Sequence, residues 1–346
     1  MNGDSAGPVD AGPAKPTVEG TAEVSSVQEP TGGRTTAEEP ARTPAEVLGR
    51  LGYRPADLLG QGMEGTVYRL AGGLVGKVWN PGRTLADVRR HAAFQTELAA
   101  QRLPFATPEP VAVRELDGVV VSVERELPGV PLSEAGLDPA AEHAAILDVV
   151  AVLGTTTAGP AARALPVLDE AEPLRAGRDW PAAFADLAER RAAASRGPLL
   201  RALPELDRIL AAVRDRLLAL PAGGPERVVH GDICPPNILV DRGGRVVALL
   251  DWGFLTGAGD NAFDAATAAG FFDMYGPAAR AHDDALLAAM TDRLGHPRAT
   301  LLTYRAAYSL STATIYSPTG DDGHFAWCVG LFDRPEVREL LDLPPR

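Results

Sequence analysis

Two carboxylates and an amide in the second half of the chain have the types and spacing of a phosphate-handling site. Asp232 and Asn237 stand five residues apart across the Pro235-Pro236 corner of HGDICPPN, and Asp251-Trp252-Gly253 follows two short apolar runs. If those runs pair as a hairpin, the chain returns Asp251 beside Asp232 and Asn237. A carboxylate and an amide carbonyl are hard oxygen donors of the kind magnesium takes alongside nucleotide phosphates, which suits Asn237 and Asp251. Asp232 is then left to accept a hydroxyl proton from a nucleophile.

A second cluster lies early, where Gly60, Gly62 and Gly65 fall in GQGMEGTVY. Three glycines suit many tight turns, so the surroundings decide. A dinucleotide fold would open a helix here, and a P-loop needs Lys and then Ser or Thr after the last glycine. Instead Thr66-Val67-Tyr68 leads through the turn Ala71-Gly72-Gly73 into another β-rich run. What remains is a glycine-rich hairpin whose unobstructed backbone N–H groups can lie over phosphates. Lys77 falls on its second strand. Only Lys15 and Lys77 are lysine among 33 basic residues, the other 31 being arginine, so a lysine in the folded part departs from the chain's own habit. Its ammonium suits phosphate neutralisation, and Glu97, twenty residues on, is the expected ion-pair partner.

These groups need elements to hold them. Residues 1–45 are rich in Gly, Pro, Ala, Thr, Ser and Glu, a composition that cannot bury enough apolar surface to order itself, and are expected to form a tail. Thr43-Pro44 before AEVLGRLG reads as a capped short helix. Residues 57–126 favour strands, with one helix over 85–103 and a second hairpin turning at Asp117-Gly118. Beyond Pro131 the pattern is mostly helical: 139–154, 180–195, 205–220, 262–274, 278–294, 298–316 and 336–341. The two runs between Arg227 and Gly253, joined at Asp241-Arg242-Gly243-Gly244, interrupt those helices as a strand pair.

Taken in order, the glycine-rich hairpin, strand lysine, helix glutamate, HxDxxxxN (230–237) and DWG (251–253) resemble the aminoglycoside phosphotransferase family, the small-molecule kinase branch of the protein-kinase-like superfamily. The resemblance covers roughly residues 55–275. It implies an α+β, two-lobed protein-kinase-like fold: a small β-rich N-lobe (46–128) with one key helix, and a larger, mainly helical C-lobe (129–346). It implies that Asp232 is the catalytic base and that Asn237 and Asp251 ligate Mg2+. It further implies that Gly60, Gly62, Gly65 and Val67 of the GxGxxGxV loop lie on ATP, that Lys77 contacts its phosphates with Glu97 orienting it, and that the hinge near Glu126 meets adenine. Asp264 matches the structural aspartate that follows the DWG motif. Only FLTGAGDNAF separates the motif from Asp264, which leaves no peptide-docking activation segment and disfavours a protein kinase. The expected activity is magnesium- and ATP-dependent phosphorylation of a small-molecule hydroxyl, first an aminoglycoside or related amino sugar; another sugar, an amino alcohol, or a regulatory nucleotide-binding module without turnover are the alternatives.

Composition narrows the partners. With 33 basic and 46 acidic residues the net charge is -13, which repels a nucleic-acid backbone. No run approaches the roughly 20 apolar residues of a membrane helix, so a soluble, cytoplasmic chain is expected. Cys234 and Cys328 lack metal-ligand spacing. A metal-dependent phosphohydrolase would call for further histidines in motif spacing. Acids in the C-terminal helices (Asp260, Asp273, Asp283, Asp284, Asp321, Asp322) suggest an acceptor site for a cationic small molecule.

Overall fold

The structure, a computed structural model, describes residues 42–62, 64–175, 177–221 and 223–345. Most of the expected 1–45 tail therefore lies outside the described residues. Residues from Arg42 onward form one compact unit.

Thr43 caps helix α1 (Pro44–Arg50) through a reciprocal capping box with Glu46, and Pro44 occupies the first turn. Strands β1 (Pro55–Gln61), β2 (Gly65–Leu70) and β3 (Leu74–Trp79) follow, then helix α2 (Leu85–Ala99), then β4 (Pro110–Leu116) and β5 (Val119–Arg125). They make one antiparallel sheet in the order β1-β2-β3-β5-β4. Its β-branched and aromatic residues fit a pleated, half-buried surface. The β4–β5 turn places Asp117 and Gly118 at positive φ, as a tight hairpin requires.

A short strand β6 (Val130–Pro131) leads into the helical half. Helices α3 (Pro139–Leu153), α4 (Pro160–Arg163), α5 (Trp180–Ala194), α6 (Arg196–Ala202) and α7 (Leu206–Leu218) come next. Strands β7 (Arg227–Val229), β8 (Ile238–Val240), β9 (Val246–Leu249) and β10 (Gly257–Gly259) carry the motif region. Helices α8 (Asn261–Phe271), α9 (Ala279–Leu294), α10 (Arg298–Thr312), α11 (Gly323–Gly330) and α12 (Pro335–Leu340) complete the fold. The α+β, two-lobed arrangement expected from the sequence is present. Three helices the sequence pattern did not announce, α4, α6 and α11, are at most eight residues long, too short for an apolar period to stand out.

Packing explains how the halves are fixed. On one face of the five-stranded sheet, Val47 and Leu48 of α1 pack with Leu70, Val78, Val121 and Val123. Helix α2 belongs to both halves: Val88 packs with Trp79 and Val120 of the sheet, while Phe94 and Leu98 join the large helical core. Every residue of α8 is buried, which its Ala-rich sequence permits by letting neighbours approach closely.

Candidate active site

The loop after β7 is held rigidly. Buried Asp264 of α8 accepts the backbone N–H of His230 at 2.9 Å and of Gly231 at 2.7 Å. Burial pushes its carboxyl up to about 7, while those two donors pull the other way. Gly231 takes φ +81° and lies so close to Leu255 that any side chain there would collide with it. His230 is fully buried; its Nε2 lies 2.8 Å from the Leu250 carbonyl and its Nδ1 accepts the Asp232 N–H at 3.1 Å. Donation from Nε2 fixes the neutral tautomer, in keeping with a burial that holds the ring down to about 4. His230 therefore braces the loop that carries Asp232.

Asp232 and Asn237 meet as their spacing required. The 3-10 turn Pro235–Asn237 brings the Asn237 Nδ2 to within 2.9 Å of the Asp232 carbonyl and 3.2 Å of its Oδ2. Strands β8 and β9 pair antiparallel and return the chain, and the Leu250 N–H donates to the Asn237 carbonyl at 2.8 Å. Asp251 follows at φ +61°, a left-handed conformation unusual for a residue with a side chain, which aims it back at the loop. Burial pushes the Asp232 carboxyl up to about 7, and the neighbouring Asp251 charge adds to the push. Asp251 is itself solvent-open at the cleft. The protein crowding it nonetheless raises its pKa; the Lys77 ammonium opposes that rise and the Glu64 carboxylate reinforces it. Trp252 locks the turn by donating Nε1–H to Leu249 at 3.0 Å and packing between Phe94 of α2 and His230.

The glycine-rich hairpin supplies the other wall. Gly65 cannot carry a side chain, because a Cβ would strike the Val78 carbonyl of β3. Gly60 and Gly62 face open space. Val67 pairs with Lys77 across β2 and β3, and Lys77 pairs with Ser122 of β5, so the lysine sits mid-sheet on an interior strand. Its ammonium lies 4.1 Å from the Trp79 ring centroid.

One expected contact is absent. The Lys77 ammonium is bonded to Glu64, the acid between Gly62 and Gly65, and not to Glu97. Glu97 faces the other lobe, where its carboxylate accepts the backbone N–H groups of Gly159 at 3.1 Å, Ala161 at 2.9 Å and Ala162 at 3.1 Å, the unpaired donors at the start of α4. Spacing alone placed Glu97 on α2 but could not say which face of the helix it occupies. Glu64 escaped the sequence reading because an acid among glycines looks like loop filler. Burial works against its charge, yet the Lys77 ammonium and Arg83, whose Nη2 is 3.4 Å away, hold its carboxyl below the ordinary value.

Two further expectations need adjusting. The Glu126 side chain is bonded to Arg69 at 2.8 Å and its N–H to the Gly73 carbonyl at 2.9 Å, so it extends the sheet and offers no free N–H at the hinge. Among the expected acceptor acids, Asp283 is buried against Arg305 and Arg334, Asp284 pairs with Arg280, and Asp260 caps α8 while accepting from Tyr304. Asp322 caps α11, with its Oδ2 buried and unpartnered. The ring that the charges of Asp232 and Asp251 reach is Tyr316, 56% exposed and edge-on to His324 at 5.1 Å.

For magnesium the donor chemistry fits. Both Asn237 Nδ2 donations go to Asp232, leaving the amide oxygen as the hard donor, and Asp251 brings a carboxylate to the same cleft.

Comparison with known proteins bears on the family and the fold. Across residues 56–302 the sequence matches the APH family, described as a phosphotransferase enzyme family. The fold is similar to that of a thermostable mutant of aminoglycoside phosphotransferase APH(4)-Ia in its apo form, with a TM-score of 0.62 at 17% identity over 86% of this chain and 97% of that one. The same enzyme in an N202A ternary complex with AMP-PNP and hygromycin B gives 0.62 at 16% identity over 86% and 97%. A gentamicin complex of APH(2")-IIa gives 0.56 at 14% identity over 87% and 99%. No curated protein matches the sequence. A family match over more than half of its length, on a two-lobed kinase-like fold, means that this chain belongs to the APH phosphotransferase enzyme family.

Proposed function

We propose that this protein transfers the terminal phosphoryl group of ATP to a hydroxyl of a small molecule, with an aminoglycoside or related amino sugar as the first candidate acceptor. The convergence of Asp232, Asn237, Asp251 and Lys77 carries the reading: Asn237 touches Asp232, the Asp251 charge acts on Asp232, and the Lys77 charge acts on Asp251. The acceptor oxygen forms a bond to the terminal phosphorus as the bridging P–O bond to ADP breaks. Its proton passes to Asp232, whose Oδ2 is oriented by the Asn237 amide.

Lys77 binds phosphate oxygens under the glycine-rich loop, with Gly60, Gly62, Gly65 and Val67 keeping the backbone close to them. Asn237 and Asp251 would hold Mg2+, which when bound neutralises charge on the triphosphate. Trp252 and His230 keep the reacting loop in register from behind.

In this reading Tyr316 and Tyr275 bound the acceptor side, and two exposed aromatic rings suit a cationic, hydroxylated acceptor. Hygromycin B and gentamicin, bound by proteins of the same fold, are molecules of that kind. Incubation with γ-labelled ATP, magnesium and a panel of aminoglycosides, amino alcohols and sugars tests the proposal. Label is expected in one acceptor class. Free phosphate without a labelled acceptor would indicate a hydrolase, and nucleotide affinity without turnover a silent binding module.

A further inference from the structure

We infer that Glu64, carried by the glycine-rich loop itself, is the positioning residue for Lys77, in the place where an acid of α2 was expected. The inference rests on the phosphotransferase reading above for its kinetic consequence, and on geometry alone for the pairing.

Four observations support it. The Lys77 ammonium and the Glu64 carboxylate are bonded, and both side chains are largely shielded, 21% and 27% exposed. The acid that could serve from α2, Glu97, has its oxygens filled by three backbone N–H groups of the other lobe. Helix α2 meets Trp79 of β3 and the DWG tryptophan through His91 and Phe94, neither of them an acid. Glu124, on the neighbouring strand β5, feels the Lys77 charge but is bonded to the Gln95 amide of α2 at 3.0 Å and not to the ammonium.

The place of Glu64 is also built to receive it. Arg83 approaches its Oε1 at 3.4 Å, and a side chain at Gly253 would come within 2.9 Å of the same oxygen. The glycine of DWG therefore leaves room for the acid. Trp79 floors the site, with the ammonium at 4.1 Å and the Arg83 guanidinium at 5.9 Å from its ring centroid. A carboxylate held between two cations is thus carried by the same loop that would cover the phosphates.

The two lysines make this measurable without turnover. Amine-directed labelling followed by mass spectrometry reads Lys77, with Lys15 as the internal control. In Glu64→Gln, which keeps the shape and removes the charge, Lys77 is expected to label several-fold faster than in the wild type while Lys15 is unchanged. With nucleotide and an accepted substrate, the same variant is expected to lose about 10- to 100-fold in kcat while remaining folded at the assay temperature. Glu64→Asp, which keeps the charge, is expected to recover most of that rate.

Equal labelling of Lys77 in the wild type and Glu64→Gln would overturn the pairing. A lower KM for ATP with kcat kept would overturn it in another way, by marking Glu64 as a competitor of phosphate for the ammonium. Wild-type protein that labels no acceptor would count against the phosphotransferase reading instead, and the labelling comparison would still decide the pairing.

Discussion

At the scale of single residues, the proposed mechanism asks one carboxylate to do the chemistry and its neighbours to aim it. Asp232 sits with its Oδ2 against the Asn237 amide, its charge disfavoured by burial and by Asp251. Replacing Asp232 by Asn keeps the size and removes the proton acceptor. Turnover is then expected to fall by about 10^2- to 10^4-fold, the usual worth of general-base catalysis, with nucleotide affinity near the wild-type value. Steady-state kinetics beside a nucleotide-binding titration check it, and equal losses in both would argue for a binding role. The contact of Asp232 with Asn237 was legible in the sequence because it follows from a fixed offset, five residues from one to the other across a proline corner, with a hairpin's length onward to Asp251. The partner of Lys77 was not legible. An ion pair is a fact of side-chain direction in space, and Glu64 and Glu97 are both acids within reach of the right segment; only the fold shows that one points at the ammonium and the other away from it.

Among the elements, α2 decides how the lobes are joined. Its identity as a helix was plain from its periodicity, as were the two hairpins and the long C-terminal helices. Hidden was the cross-lobe contact: a glutamate one turn from the helix end satisfies the N-terminus of a four-residue helix that no pattern could foretell. Glu97→Gln leaves one oxygen for three donors and turns an amide N–H toward them, so a loss of about 1–3 kcal/mol in unfolding free energy is expected by denaturant titration at constant slope. The same helix carries a pH response. Burial, seconded by the Lys77 charge, holds His91 down to about 4 against an ordinary 6.5, with the Glu64 charge opposing. Between pH 6.5 and 4 the unfolded chain binds a proton that the folded chain refuses at this site, so His91 lowers stability as pH falls through that window and has no further effect below it. His91→Gln should flatten the stability profile between those pH values, and a slope unchanged by the substitution would mean the ring is protonated when folded.

For the whole molecule the governing quantity is charge. Residues 1–45 hold seven acids and three bases, a net of -4, so -9 of the total of -13 belongs to the rest of the chain. An excess of that size sets a field that draws in cations and resists anions, and salt weakens both effects as the Debye length shrinks from about 30 Å at 0.01 M to about 3 Å at 1 M. The two proposed substrates have opposite signs, which gives the field a signature no single contact would produce. For a cationic acceptor, kcat/KM should fall as ionic strength rises, because the encounter loses its steering. For ATP it should hold steady or rise, since screening relieves repulsion by Glu64, Asp232 and Asp251 at the cleft while shortening the reach of Lys77. A neutral hydroxylated acceptor should follow neither trend. Measuring all three across one salt series separates the mean field from local recognition: a cationic acceptor indifferent to salt would mean that its charge is met only in close contact, by groups such as Tyr316 and Tyr275, after encounters that the net charge does nothing to guide.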